Sequence, residues 1–338
     1  MKIKFWGVRG SIPSPGSHYV KYGGNTLCVE LYIEDIDRLI IIDAGSGLRL
    51  LGNHLMTAGL SAESFEADIF LTHTHLDHII GFPFFMPIFH AGTRLKIYGP
   101  VTCEDDSLEA VIGGQLSYRY FPVRQEELTA RIEYLNLKEG SFDLGDGIRL
   151  TTKYLNHPLL CLGFRFEYKG QVCCTAYDTE PFQNLFITDP RDPSYDEIMA
   201  HQGEAAARDE NQRLEDFFEG ADLLIHDAQY TQQEYDTNKH GWGHSPIEYA
   251  IKAARRSQVK RLALFHHDPM RTDAQVDELA ELCCDSSDTG NTEVYFAREG
   301  MQVVLYEVKS ELKCLKCLKL KRGQISYFNF RQFSHFPL

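Results

Sequence analysis

His73, His75, Asp77 and His78 fall within six residues, in Thr72-His73-Thr74-His75-Leu76-Asp77-His78, directly after the apolar run Asp68–Leu71. In an extended chain residues two apart point the same way. His73 and His75 can therefore grip one cation, while Asp77 and His78, turned at the following bend, grip another. Transition-metal ions take about four to six N/O donors, and this segment supplies only four for two ions. Three later residues at or near predicted strand ends can complete the sets: His157 in Asn156-His157-Pro158, Asp178 in Tyr177-Asp178-Thr179, and His266 in Leu264-Phe265-His266-His267-Asp268-Pro269. A carboxylate can share its two oxygens, which makes Asp178 the natural bridge. One ion then takes His73, His75, His157 and Asp178, and the other takes Asp77, His78, His266 and Asp178. A solvated histidine-rich loop is the plainer alternative, but His-x-His-x-Asp-His directly after an apolar strand is rare by chance.

His244 has a separate case. It precedes Ser245, which reads as the N-cap of a helix over Pro246–Arg256 through the capping-box pattern Ser245-Pro246-Ile247-Glu248. Helix N-termini attract anions, so an imidazole there can bind a phosphoryl oxygen or protonate a leaving oxygen. His226 and Asp227 end another apolar run and are expected near the ligands, with His226 as a supporting residue rather than a ligand.

The elements that must position these residues are short apolar runs bounded by glycine. Lys2–Trp6, Leu27–Ile33, Leu39–Ile42, Asp68–Leu71 and Leu95–Tyr98 read as strands, several buried on both faces. Gly47–Thr57 has helical spacing, and Ser107–Leu116 is a weaker helix. Two strands are expected between Arg149 and Ala176, with a hairpin turn at Glu167-Tyr168-Lys169-Gly170. The later half alternates: strands at Leu223–Ile225, Arg261–Phe265, Val294–Phe296 and Gln302–Tyr306, helices at Pro246–Arg256 and Asp273–Cys283, the second also opening on a capping box, Thr272-Asp273-Ala274-Gln275. Ala67-Asp68-Ile69-Phe70-Leu71-Thr72-His73 echoes Ala221-Asp222-Leu223-Leu224-Ile225-His226, which hints at two related halves.

The chain resembles the metallo-β-lactamase fold superfamily, whose signature is His-x-His-x-Asp-His followed by a distant His, Asp and His. Gly7-Val8-Arg9-Gly10-Ser11-Ile12-Pro13, Tyr22-Gly23-Gly24-Asn25-Thr26, Ile42-Asp43-Ala44-Gly45-Ser46-Gly47 and Gly243-His244-Ser245 are similar to the branch holding ribonuclease Z and a class of cyclic-nucleotide phosphodiesterases. The resemblance covers about residues 1–308. It implies an α/β fold, an αββα four-layer sandwich of two related halves with a C-terminal extension, and a dinuclear site at one edge of its sheets. Carried over residue by residue, the metal ligands are His73, His75, Asp77, His78, His157, Asp178 and His266. The branch pattern of an apolar pair, the ligand, two residues and proline favours His266 over His267. His244 and Asp77 are the expected catalytic residues, and Asp43 is the expected carboxylate behind a ligand histidine, fixing its tautomer. The resemblance also suggests a homodimer.

Two divalent ions about 3.5–4 Å apart suit phosphodiester hydrolysis by a bridging hydroxide; zinc is expected, and manganese or iron suits the same donors. Charge bears on the substrate. The net charge is −14, and residues 309–338 alone carry +6, with Lys309, Lys313, Lys316, Lys319, Lys321, Arg322 and Arg331 against Glu311, which leaves −20 on the first 308. Residues 180–220 add a further acidic stretch of net −8, read as a surface insertion with one or two solvated helices. Such a field repels nucleic acid and favours a small phosphodiester, a 3′,5′-cyclic nucleotide first. A ribonuclease Z-like tRNA 3′-processing endonuclease is the alternative, and a non-catalytic metal-binding scaffold the second.

The chain divides into a catalytic domain over 1–308 and a basic, Phe-rich tail over 309–338, in which Cys314-Leu315-Lys316-Cys317 lacks the further close ligands of a zinc knuckle. Nine scattered cysteines point to a reducing, cytoplasmic setting. No run approaches the ~20 apolar residues of a membrane span.

Overall fold

The computed structural model describes residues 1–57, 64–101, 106–284 and 291–306. The basic tail and Cys314–Cys317 lie outside the described residues. The strands are β1 (Lys2–Gly7), β2 (Cys28–Ile33), β3 (Arg38–Ile42), β4 (Phe65–Phe70), β5 (Thr93–Pro100), β6 (Arg131–Leu137), β7 (Gly140–Asp143), β8 (Arg149–Tyr154), β9 (Leu162–Tyr168), β10 (Gln171–Ala176), β11 (Leu223–Asp227), β12 (Arg261–Phe265), β13 (Glu293–Phe296) and β14 (Gln302–Val304). The helices are α1 (Gly47–Thr57), α2 (Leu76–Ile79), α3 (Leu108–Gly114), α4 (Glu197–Phe218), α5 (Gln232–Asn238), α6 (Ile247–Arg256) and α7 (Asp273–Cys284).

Among the described residues the strands form two sheets of seven, in the orders β14-β1-β2-β3-β4-β5-β6 and β13-β12-β11-β10-β9-β8-β7. In the first, β3, β4, β5 and β6 run parallel and β2, β1 and β14 continue antiparallel. The second repeats this plan, with β10 to β13 parallel and β9, β8 and β7 antiparallel. Superposing the two plans sets β4 on β11, so the sequence echo falls on topologically equivalent strands.

Alternation along each strand builds three apolar layers. Ile40 and Ile42 of β3, Phe70 of β4, Phe164 and Phe166 of β9, Ile225 of β11 and Phe265 of β12 meet between the sheets. There Phe70 lies edge-on to Phe164 and Phe166, with ring centroids 5.7 and 5.3 Å away. The outer face of the first sheet, with Leu39, Ile41 and Ile69, packs against Leu48 and Leu51 of α1 and Leu108 and Ile112 of α3. That of the second, with Leu224, Leu262 and Leu264, packs against Leu214, Phe217 and Phe218 of α4, Ile247 and Ile251 of α6 and Val276 of α7. Helix, sheet, sheet, helix is the four-layer order expected.

Four expectations change in detail. Three strands, not two, lie between Arg149 and Ala176, because Asn156-His157-Pro158 breaks the first run; the hairpin turn is Lys169-Gly170, with φ of 48° and 76° at its two residues. The edge strands β6 and β7 escaped the sequence reading because their burial alternates between partial and exposed. The acidic stretch is solvent-facing over most of its length, as expected, but the last turns of α4 bury Leu214, Phe217 and Phe218 in the outer core, so its end is part of the packed layer. The Ser245 capping box does not form: α6 starts after Pro246, Ser245 Oγ donates to the Thr179 carbonyl at 2.6 Å, and Glu248 accepts from the Gln232 amide. The Thr272 box does form, with Gln275 N donating to Thr272 Oγ1 and Thr272 N to Gln275 Oε1.

Candidate metal centre

The site is assembled where parallel strands end, the crevice at which open α/β sheets present ligands. Asp43 follows β3, the His73–His78 segment follows β4, Asp178 follows β10, Asp227 ends β11 and His266 follows β12. His157 comes from the connection between β8 and β9. Asp43, Asp178 and His266 all take left-handed backbone conformations, with φ of 59°, 42° and 59°. Such conformations are uncommon for residues other than glycine and cluster at functional sites.

Two donor groups meet at Asp178. Its Oδ2 lies 3.5 Å from His73 Nε2 and 3.9 Å from His157 Nε2, and His75 Nδ1 stands 2.8 Å from His73 Nε2 and 3.1 Å from His157 Nε2. Its Oδ1 lies 3.2 Å from both His78 Nε2 and His266 Nε2, which stand 3.5 and 3.4 Å from Asp77 Oδ2. These are the two sets that the residue types suggested, each with its donor atoms within 4.8 Å of one another.

Three atoms test whether the residues suit a pair of cations. His78 Nε2, His266 Nε2 and Asp178 Oδ1 are buried without a hydrogen-bond partner, yet they converge on one another. Buried polar atoms are nearly always paired, and this convergence fits a cation. The ionisation states agree. Burial drives His73 well below its ordinary value and His157 down to about 4, so both are neutral donors. Burial opposes ionisation of Asp77, but His78 and His266 outweigh it and hold the carboxyl at about 2. His78 is pushed well up and His266 up to about 9, in each case because Asp178 and its companions overcome burial. Cations displace such protons from their ligands.

The far side of each ring is also held. His78 Nδ1 meets Asp43 Oδ2 at 2.7 Å, and Asp43 in turn accepts from the Thr72 amide and hydroxyl. His73 Nδ1 meets Thr72 Oγ1 at 3.1 Å, His157 Nδ1 the Gly243 carbonyl at 3.0 Å, and His266 Nδ1 Gln229 Oε1 at 3.0 Å. Two glycines make room. A Cβ at Gly10 would lie 2.3 Å from the His266 ring, and one at Gly243 would lie 2.3 Å from His157 Nδ1. His267 faces away and is bonded through Nε2 to the Ala297 carbonyl at 2.7 Å, so His266 is the one of the pair that faces the cluster.

His244 stacks on His266, with centroids 4.7 Å apart and planes 20° apart, and its Nδ1 lies 3.0 Å from Asp227 Oδ2. That carboxylate also accepts from the amides of Thr179, Gln229 and Ser245. His226, expected beside the ligands, instead packs against Phe218 and Tyr249, with Nδ1 on the Asp227 carbonyl. Neighbours on a strand point to opposite faces, so only one of His226 and Asp227 can face the cluster. Asp227 does, as expected of it, and Gln229 beside it is the polar support that the sequence reading missed.

No family model matches the chain. In sequence it is similar to ribonuclease Z of Lactococcus lactis, 27% identical over 297 residues, which cover 79% of this chain and 88% of the relative. In structure it is similar to the metallo-β-lactamase fold protein YhfI from Bacillus subtilis, with a TM-score of 0.57 and 18% identity over 89% of this chain and 98% of that one. It is also similar to human tRNase Z, short form, with a TM-score of 0.55 and 22% identity over 90% and 99%. These structural neighbours and the two facing seven-stranded sheets show that the chain has the metallo-β-lactamase fold.

Proposed function

We propose that this chain is a dinuclear metal-dependent phosphodiesterase that cleaves RNA in the manner of ribonuclease Z. The observation that carries the reading is the split of Asp178, whose two oxygens face two separate donor sets. Divalent cations held there would lower the pKa of water toward neutrality and neutralise charge on the phosphoryl oxygens. The chain's own residues do the rest. Asp43, Gln229 and the Gly243 carbonyl fix the orientations of His78, His266 and His157. His244 shares its Nδ1 with Asp227, which leaves Nε2 to meet the substrate. As water releases a proton to solvent and its oxygen bonds to phosphorus, the P–O bond to the leaving ribose breaks; the ribose oxygen keeps the bonding pair and takes a proton from His244 Nε2, which His244 regains from solvent.

Sequence relatives named ribonuclease Z support RNA over the cyclic nucleotide that charge alone favoured. The charge of −14 remains the observation in favour of the second reading, a small 3′,5′-cyclic diester. Parallel hydrolysis assays of precursor tRNA and of 3′,5′-cyclic nucleotides, with zinc and with manganese, separate the two. Faster turnover of precursor tRNA is expected; preference for the cyclic diesters would install the second reading, and turnover of neither would leave a binding scaffold.

A further inference from the structure

We infer that Trp242, with Lys239 beside it, is the platform that holds the nucleotide flanking the scissile phosphodiester, an inference that rests on the phosphodiesterase reading. Trp242 is 55% exposed, although the chain on either side of it is fixed. The Gly241 amide donates to Glu180 Oε2 at 2.9 Å, and the Gly243 carbonyl accepts from His157 Nδ1 at 3.0 Å. Both glycines have positive φ, 79° and 78°, so the Gly241–Gly243 turn has a defined shape that presents the indole outward. Core packing does not require a large aromatic ring in that position.

Its place relative to the chemistry is set by the chain. Trp242 stands two residues before His244, and a chain spans at most about 3.6 Å per residue. The two Cα atoms are therefore within about 7 Å, a separation similar to that between base and phosphate within one nucleotide. Lys239 Nζ lies 3.7 Å from the centre of the indole and 5.2 Å from that of Tyr230, whose ring is 6.1 Å from His244. An ammonium held between two aromatic rings, at the rim of the donor cluster, joins a stacking surface to a phosphate-seeking charge. Single-stranded nucleic acid is bound by this combination. It also supplies a local attraction that the overall charge of −14 does not.

Fluorescence and kinetics on the full, metal-loaded chain test the assignment. Adenosine 5′-monophosphate should quench indole emission in the wild type and fail to do so in Trp242→Phe, which retains Trp6 as the remaining tryptophan; ribose 5-phosphate, which lacks the base, should quench neither. In hydrolysis of an oligoribonucleotide, Trp242→Ala should raise KM about tenfold. An otherwise identical substrate that is abasic next to the scissile bond should respond less, narrowing the gap between the two. Equal quenching in wild type and Trp242→Phe, or equal KM changes for both substrates, would overturn the platform. Should the wild type hydrolyse neither substrate, the phosphodiesterase reading fails while the quenching comparison still decides the role of Trp242.

Discussion

Asp43 touches no other donor of the cluster than His78, yet the 2.7 Å contact to His78 Nδ1 sets which nitrogen of that ring faces Asp178. Loss of such a supporting carboxylate typically costs 10–100-fold in metal affinity, so Asp43→Ala should lower affinity by about that factor in a competitive chelator titration. His244→Ala should instead lower kcat about 10²–10⁴-fold while the metal content stays at the wild-type level. A matching loss of metal would place His244 among the ligands. His226 gives a pH prediction. Burial lowers its pKa, so the folded chain keeps it neutral while the unfolded chain takes up a proton below about 6.5. The unfolded state then binds more protons, and stability falls as pH drops through that window, by up to about 1.4 kcal/mol per unit. Urea unfolding at pH 7.0 and 5.5 should show a smaller pH loss for His226→Gln than for wild type. The seven donors were legible because histidines and carboxylates at these spacings after apolar runs have few other uses. Gln229 and Glu180 were not, because their roles come from contacts between distant segments that only the folded chain brings together.

At the level of elements, the parallel strands deliver the donors, and the packing between the sheets holds those strand ends in register. Phe164 of β9 is fully buried against Phe70 of β4, across the two sheets. Phe164→Ala should destabilise the chain by about 3–5 kcal/mol, measured by denaturant unfolding, and an effect below about 1 kcal/mol would contradict the packing described. Strands buried on both faces were readable because Leu39–Ile42 and Leu223–Ile225 are unbroken apolar runs. The edge strands β6 and β7 were not, since their half-exposed alternation in Arg131–Leu137 and Gly140–Asp143 resembles loop composition. The Ser245 cap failed for a different reason. The Asp227 carboxylate and the Thr179 carbonyl compete for Ser245 and win it, so a local signal yields to the site.

For the whole molecule, two sheets of the same plan face each other, and the donors gather along one edge of the pair. The first half supplies His73, His75, Asp77 and His78, and the second supplies His157, Asp178 and His266. Asp178 thus joins the halves chemically as the phenylalanine layer joins them mechanically. The four-layer order followed from the resemblance and the echoed strands, whereas the role of the acidic stretch did not, because burial of Leu214, Phe217 and Phe218 depends on the sheet beneath α4. No helix among the described residues is long and apolar enough to cross a membrane.

The central claim is that two cations share one carboxylate. Metal content per chain, measured on wild type and Asp178→Ala purified in parallel, tests it most directly. Two equivalents of divalent metal in the wild type and less than one in the variant are the result predicted. A wild type holding one equivalent or none, or a variant that retains two, would contradict it.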